Sequence, residues 1–477
     1  MIDDYTCDDI FSDYHDYKVL HDAYYGKGGF KHGGYIERYP REGELKYLRR
    51  RKVAYYSNYL RPIIDSHVDP IFRKEPKRSW QGNSKFEQFQ ENIDACGAGM
   101  NRFMKKAALI AKIYGVAFIF TDNFAELPAN LATALKERMF PYSYIVAPRK
   151  VESYKVNKFG KLTSITIREP AEDAEGNVTD GEWLREWTSK GWILIGDDDG
   201  ETKGQGEHNL GRLPVTPLYS NQVERMDTLP QSEFLDIAKM SISLYNRCSE
   251  LDEILSSQTF NILIYPIADN QKPDCVQEIV TGVENVIGYY AESGGAPGYI
   301  SPNSDPAEMQ MKQIDRLVTE MYRMARLSHT TGVQKQTSGI AKAYDFEQTN
   351  QNLGDFAANI EEAEEDIARV FALWENINNL DYNVAYDRDF GIIDIASILA
   401  DATAALDLHI GNKFDAAVKK KIVASYLGED IPAEEYDAIM KEIDDNADNA
   451  DYAEQSMILA KRLAEKQAKA GVVDGTE

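Results

Sequence analysis

The chain has 477 residues, 43% of them hydrophobic, and its 53 Lys+Arg against 78 Asp+Glu give a formal charge of −25. That length predicts about three structural units at roughly 150 residues each, and the composition excludes wholesale disorder and fibrous low-complexity classes. No apolar run reaches the ~18 residues of a membrane span, and Met1-Ile2-Asp3-Asp4 lacks the basic start and apolar stretch of a signal peptide, so a soluble cytosolic chain is expected.

The four cysteines, Cys7, Cys96, Cys248 and Cys275, form no CxxC pair, which argues against a disulfide framework and a cysteine zinc site. A strongly acidic chain should repel nucleic acid, since Lys and Arg neutralising phosphates supply most non-specific affinity. The charge is uneven, however. Residues 38–78 hold twelve basic and five acidic residues, a net +7, which leaves −32 on the remainder. Blocks of opposite sign in one chain often meet across subunit contacts, or the basic block is a solvated helix face.

In chain order, the first forty residues are rich in Tyr, His and Gly and read as an irregular arm. Gly26-Lys27-Gly28-Gly29 lacks the spacing of a phosphate loop and reads as a flexible turn. Residues 42–69 carry Leu45, Leu48, Val53, Tyr56, Leu60, Ile63 and Ile64 near helical spacing, with Pro62 bending or breaking that helix. A second helix covers about 98–113, Gly115 ends it, and Val116–Phe120 reads as a buried strand. From Tyr142 to Tyr219 the pattern is of strands and turns. Ile145-Val146, Lys161–Arg168, Trp183–Thr188 and Trp192–Ile195 are the strand candidates, with Ser189-Lys190-Gly191 as a hairpin turn. Residues 170–181 and 197–209 read as polar loops.

A helix restarts after Pro230 and runs to about Gln258. Short β-like runs follow at Phe260–Tyr265 and Val286–Tyr290, then a helix over about 306–327, a polar segment 328–343, and a long helix over about 345–377. From 391 to 470 the chain reads as helical and acidic, with a frayed tail. The fold class is α+β.

Catalytic patterns are missing from the sequence. There is no HExxH, GxSxG, Walker A, DFG-like or EF-hand motif. Asp197-Asp198-Asp199 lies in a Gly-rich loop, and the acids at 361–366 scatter around a helix axis without the ExxH partners of a di-iron bundle. No catalytic, cofactor-binding or metal-ligating residues are expected, and a structural or assembly role outweighs an enzyme.

The order of parts resembles the portal proteins of tailed bacteriophages over roughly residues 40–440. The residues that carry it are a basic Tyr/Arg-rich helix leading into Arg61-Pro62-Ile63-Ile64-Asp65 and Ile71-Phe72-Arg73-Lys74-Glu75-Pro76, then the helix–Gly–strand Ala107–Phe120. Pro141-Tyr142 with β-hairpins and Leu213-Pro214-Val215 before a long helix come next. Val286-Ile287-Gly288-Tyr289 with Glu292-Ser293-Gly294 follows, and Ser338-Gly339-Ile340-Ala341 leads into a long amphipathic helix with Trp374.

The resemblance implies a dodecameric ring at one capsid vertex. Double-stranded DNA would pass through it in packaging and ejection, with weak, non-specific contacts. Terminase, head-tail adaptor (connector) proteins, and major capsid and scaffolding proteins would be its partners. It would reside in the virion, and in the host cytoplasm during assembly, without contacting a membrane. It also implies a division into arm and wing (1–230), first stem helix (231–258), clip (259–304), second stem helix (305–327), tunnel loop (328–345), long wing helix (346–377) and helical crown with tail (378–477). The alternative is another oligomeric capsid or scaffold assembly protein without a DNA channel.

Three sets of candidate site residues follow. Lys312, Arg316, Arg323 and Arg326 step along one helical stripe and, with Lys335 and Lys342 of the tunnel loop, are DNA-channel candidates. Phe260, Ile262, Ile264, Tyr265, Val286, Ile287, Tyr289 and Tyr290 are clip-interface candidates whose strand edges could pair with neighbouring subunits. The helix 346–376 holds eight acids and one base, so part of its acidic face is expected to line the channel and discourage DNA from sticking.

Overall fold

The computed structural model describes residues 7–124, 130–173, 177–196, 200–224, 226–258, 262–267, 286–290, 295–300, 303–327, 339–378, 380–388, 390, 395–408, 410–426 and 433–448. It divides into two compact units, residues 1–390 and 391–477. No described helix is long and apolar enough to cross a membrane.

The N-terminal stretch departs from the expected arm. Helices α1 (Cys7–Tyr25) and α2 (Gly28–Lys31) are packed into the body. Val19, Leu20, Ala23 and Tyr24 fall on adjoining positions of one helical face and are buried, as are Phe30 and Ile36. The turn between the helices needs glycine. Gly28 sits at φ +52°, and a Cβ there would lie 2.0 Å from the Asp22 carboxylate, which also accepts the Tyr35 hydroxyl at 2.9 Å.

The helix expected over 42–69 is two helices, α3 (Glu44–Val53) and α4 (Leu60–Asp65). The break falls at residues 54–59 and not at Pro62, which occupies the first turn of α4, where a missing N–H is tolerated. Aromatic and amide side chains hold the broken segment. The Tyr56 hydroxyl donates to the Ala23 carbonyl at 3.0 Å and its ring stacks on Phe30, while Asn58 bonds the Tyr24 carbonyl and the Arg61 amide.

Strand β1 (Lys77–Ser79) and helix α5 (Ser84–Glu91) lead to α6 (Met100–Tyr114) and the wholly buried β2 (Val116–Asp122), both close to expectation. Helix α7 (Leu131–Glu137) and strands β3 (Tyr142–Val146), β4 (Val151–Val156), β5 (Leu162–Glu172), β6 (Val178–Thr188), β7 (Gly191–Gly196), β8 (Thr202–Glu207) and β9 (Val215–Tyr219) follow. They form a three-stranded antiparallel sheet, β3-β2-β9, and a five-stranded meander, β4 to β8. The hairpin at Ser189-Lys190-Gly191 is present. The loops expected at 170–181 and 197–209 are largely strand, because the meander hydrogen-bonds polar residues that carry no apolar alternation of their own.

Helix α8 (Leu235–Gln258) precedes β10 (Ile262–Ile267), β11 (Val286–Tyr290) and β12 (Gly298–Ile300), which form one sheet of order β11-β10-β12. Helix α9 (Asp305–Met324) returns, and α10 (Gly339–Trp374) is the spine of the first unit. Strand β13 (Asn383–Ala385) closes that unit by pairing with β1. The second unit contains α11 (Ile395–Asp407), α12 (Asn412–Tyr426) and α13 (Ala433–Asp448), helical as expected.

Several elements meet where α8 begins. Lys112, buried at the end of α6, donates to Glu233 at 2.6 Å and to the Ser220 carbonyl at 3.3 Å, with its ammonium 4.3 Å from the centre of the Phe356 ring on α10. Ser232 donates back to the Lys112 carbonyl, and the buried His67 packs edge-on against Phe234. Gly115, at φ +98°, lets the chain pass so close to Pro230 that a Cβ would lie 2.4 Å from its carbonyl oxygen. Burial alone would push the Glu233 carboxyl up, yet the Lys112 ammonium holds it below its ordinary value.

Two predictions test this packing. Glu233→Gln leaves Lys112 buried without its counter-charge and should cost about 3 kcal/mol, most of it recovered by adding Lys112→Met. Equal losses in the single and double variants on urea unfolding would show that the pair is not coupled. Asp122, at the end of β2, is buried, and that burial pushes its carboxyl up to about 6, against the Asn123 amide and Tyr142 hydroxyl that it accepts. A folded-state value above the unfolded one means that stability falls as pH rises from about 4 to about 6. Asp122→Asn should therefore stabilise the protein at pH 7 by at most about 3 kcal/mol, and the gain should vanish towards pH 4. A gain that does not change with pH would refute this origin.

Candidate functional site

Helix α9 carries three faces. Ala307, Ile314, Leu317, Val318 and Met321 point inward, and Met321 is fully buried. Lys312, Arg316 and Arg323 lie on one exposed stripe, as their spacing predicts, but Arg323 is engaged by Glu320 at 2.7 Å. Glu308, Met311 and Asp315 form a second exposed stripe that adjoins the first.

Arg326 does not continue the basic stripe. The helix stops at Met324 and Arg326 adopts φ +59°. Its amide bonds the Arg323 carbonyl, and the Leu327 amide reaches back to the Tyr322 carbonyl at 2.9 Å, the Schellman arrangement with a buried apolar residue after it. Glycine usually marks that stop, so an arginine there hid it. Of the tunnel-loop candidates, Lys335 lies outside the described residues. Lys342 belongs to α10, which begins at Gly339, so residues 339–345 are helix and not loop.

The acids of α10 also differ from expectation. Glu364 is wholly buried and accepts hydrogen bonds from Arg78 at 2.6 Å, Tyr382 at 2.5 Å and Tyr386 at 2.6 Å. Asp366 is gripped by Arg212 at 2.8 and 2.7 Å and by Thr216 at 2.7 Å. Although burial would raise it, Arg212 keeps this carboxyl below the usual range. Glu361 accepts the Tyr386 amide and pairs with Arg388, Glu375 pairs with Lys85, and Arg369 lies near Glu365 and Asp366. Among the described acids of this helix, Asp355 and Glu362 are the exposed ones. Glu361, Glu364, Asp366 and Glu375 thus fasten the helix to its surroundings, and of the acidic face expected along α10, Asp355 and Glu362 are left exposed. No local signal could have revealed this, because Arg78 and Arg212 stand 286 and 154 residues from their partners.

A cavity of about 480 Å³ opens between β9, α10 and the β4–β5 turn, and is bordered by Arg212, Thr216, Asn359, Glu362 and Asp366. The Arg212–Asp366 pair occupies part of its charged lining, with Glu362 and Arg369 beside it. Among the described residues no group of three His, Cys, Asp or Glu could hold a metal.

Between α8 and α9, β10 pairs with β11 in parallel, Leu263 opposite Val286 and Ile267 opposite Tyr290, and with β12 antiparallel. The candidates Ile262, Ile264 and Tyr265 lie in β10, and Val286, Ile287, Tyr289 and Tyr290 in β11. Phe260 lies outside the described residues. The two apolar runs thus pair with each other inside one chain, and β11 and β12 are the sheet's edges.

Glu364→Gln should lower stability by about 3 kcal/mol, because it strips the counter-charge from a nearly buried Arg78. Glu362→Gln should stay within about 0.5 kcal/mol. Similar losses for both, read from thermal unfolding, would contradict the division between fastening and exposed acids.

No protein-family profile and no curated protein sequence matches the chain. Among solved structures, it is similar to a chain in the neck of an empty gene transfer agent particle, with TM-score 0.39 and 9% identity over 80% of this chain and 88% of that one. It is also similar to a chain in the virion of a native gene transfer agent particle, with TM-score 0.40 and 8% identity over 80% and 88%.

Proposed function

We propose that this chain is a portal protein, one subunit of a ring at a capsid vertex through which double-stranded DNA enters and leaves. The α8–α9 hairpin carries this reading. Gln310, early in α9, bonds the Arg247 carbonyl and Glu250 late in α8, while Ala325 at the other end lies by His67, beside Phe234. The helices therefore run antiparallel. Yet no residue is buried from Leu251 to Ser256 of α8 or from Glu308 to Glu320 of α9. A two-helix hairpin whose outer turns are only partly covered, with a small sheet between its distal ends, suits a stem and clip that neighbouring subunits complete.

In this reading residues 231–258 and 305–327 are the stem, 259–304 the clip that meets terminase and adaptor proteins, and Lys312 and Arg316 face the passage. A dodecamer is the expected ring. Exposed cations standing apart on a helix give weak phosphate contacts, which suits a conduit that must let DNA slide.

Negative-stain microscopy of the purified protein should show rings with a central channel; a compact monomer at all concentrations would overturn the reading. Lys312→Glu with Arg316→Glu should leave the rings intact and impair DNA packaging, whereas normal packaging would remove these side chains from the passage.

A further inference from the structure

Helix α3 is turned inside out. Its one buried side chain is Arg50, 1% exposed, while Leu45 is 84% exposed and Leu48 46%. Polar groups impose this setting. The Arg50 guanidinium bonds both Glu42 carboxylate oxygens at 3.0 and 2.9 Å, reaches Ser249 at 3.4 Å and stacks 4.0 Å from the centre of the Tyr39 ring. Lys46 pairs with Glu253 at 3.2 Å, and Tyr47 donates to the Ile36 carbonyl at 3.0 Å. Held this way, α3 presents Leu45, Leu48, Arg49 and Lys52 on one exposed face, stepping by three and four. An apolar face fixed outward by a buried ion pair marks a contact surface.

We propose that this face docks on a second copy of the chain, against the exposed Glu308–Met311–Asp315 stripe of α9. The proposal rests on the ring reading above and assigns it a subunit contact. Charge matches: Arg49 and Lys52 beside Leu45 and Leu48 meet Glu308 and Asp315 on either side of Met311. Position matches too. Both helices attach to α8 within one stretch, α3 through Ser249 and Glu253 and α9 through Arg247 and Glu250. If α8 runs along the ring axis, rotation about that axis keeps height, so α3 of one subunit lies level with α9 of the next. The contact is heterologous, joining two different patches, which is the kind of contact that builds a ring when its rotation closes. It adjoins the Lys312–Arg316 stripe of α9, Lys312 standing one turn from Glu308 and from Asp315.

Charge exchange tests this in the full-length protein, with assembly followed by mass photometry and folding by circular dichroism. Arg49→Glu with Lys52→Glu should raise the concentration for half-assembly at least about tenfold, as should Glu308→Lys with Asp315→Lys, and the four changes together should restore it. Wild-type rings with unaffected double variants would overturn this contact and leave the ring reading standing. Failure of the fourfold variant to reassemble would overturn the pairing, and so would rings that persist in the Arg49/Lys52 variant while DNA binding is lost. A wild-type protein that stays monomeric would overturn the ring reading and this contact with it. Should a charge variant misfold, a benzophenone amino acid at Leu48 probes the same contact without altering charge. Cross-links to a second chain near Met311 support the contact, and cross-links elsewhere or none refute it.

Discussion

The buried Lys112–Glu233 contact is the constraint on which the rest of the first unit depends. It fixes the point where α8 leaves the body, and it does so from α6, the β9–α8 connection and α10 together. Desolvating an ammonium is costly, and a partly buried carboxylate with a carbonyl and an aromatic face offsets that cost only in one geometry. The direction of a long, lightly packed helix is thereby set at its base. Far from that base it is held mainly by polar contacts, from Gln310 of α9 and from Arg50 and Lys46 of α3.

The same use of charge recurs on α10 and α3. Glu364, Asp366 and Arg50 are placed where an apolar side chain would pack more simply, and each is met by partners of fixed geometry. Apolar packing tolerates rotation of a helix about its own axis, whereas a forked guanidinium on a carboxylate does not. These pairs define which faces are left outward.

Long apolar periodicity was legible: α6, β2, α8 and α9 lie within a few residues of where their patterns put them, as does the hairpin at residues 189–191, while α10 begins about a turn and a half early. What was not legible has identifiable causes. The N-terminal helix was masked by Tyr and His, of which Tyr17 and Tyr24 are buried and Tyr17 and His21 meet Tyr114. The strands β4 and β8 alternate too weakly to be seen without their neighbours. The stop of α9 at Arg326 uses a left-handed residue that is not glycine. The basic stripe of α9 was half right: Lys312 and Arg316 are exposed as expected, Arg323 is engaged, and Arg326 has left the helix. The acids of α10 misled because composition reports charge and not its partners.

The pairing of β1 with β13 has a consequence for how the chain folds. Lys77 lies opposite Ala385, so strands separated by some three hundred residues must meet, and the helices α5 and α6 beside β1 share their apolar core with α10. The meander β4 to β8 needs only neighbours in sequence and can form early. The core around Phe86, Phe89 and Phe371 has to wait until the last strand of the unit has been synthesised, and closing so long a loop is slow. On a ribosome adding roughly 5–20 residues per second, the apolar residues of α5 and α6 that meet α10 would stand uncovered for tens of seconds. That interval, more than the finished structure, is when this chain is exposed to aggregation and most in need of a chaperone.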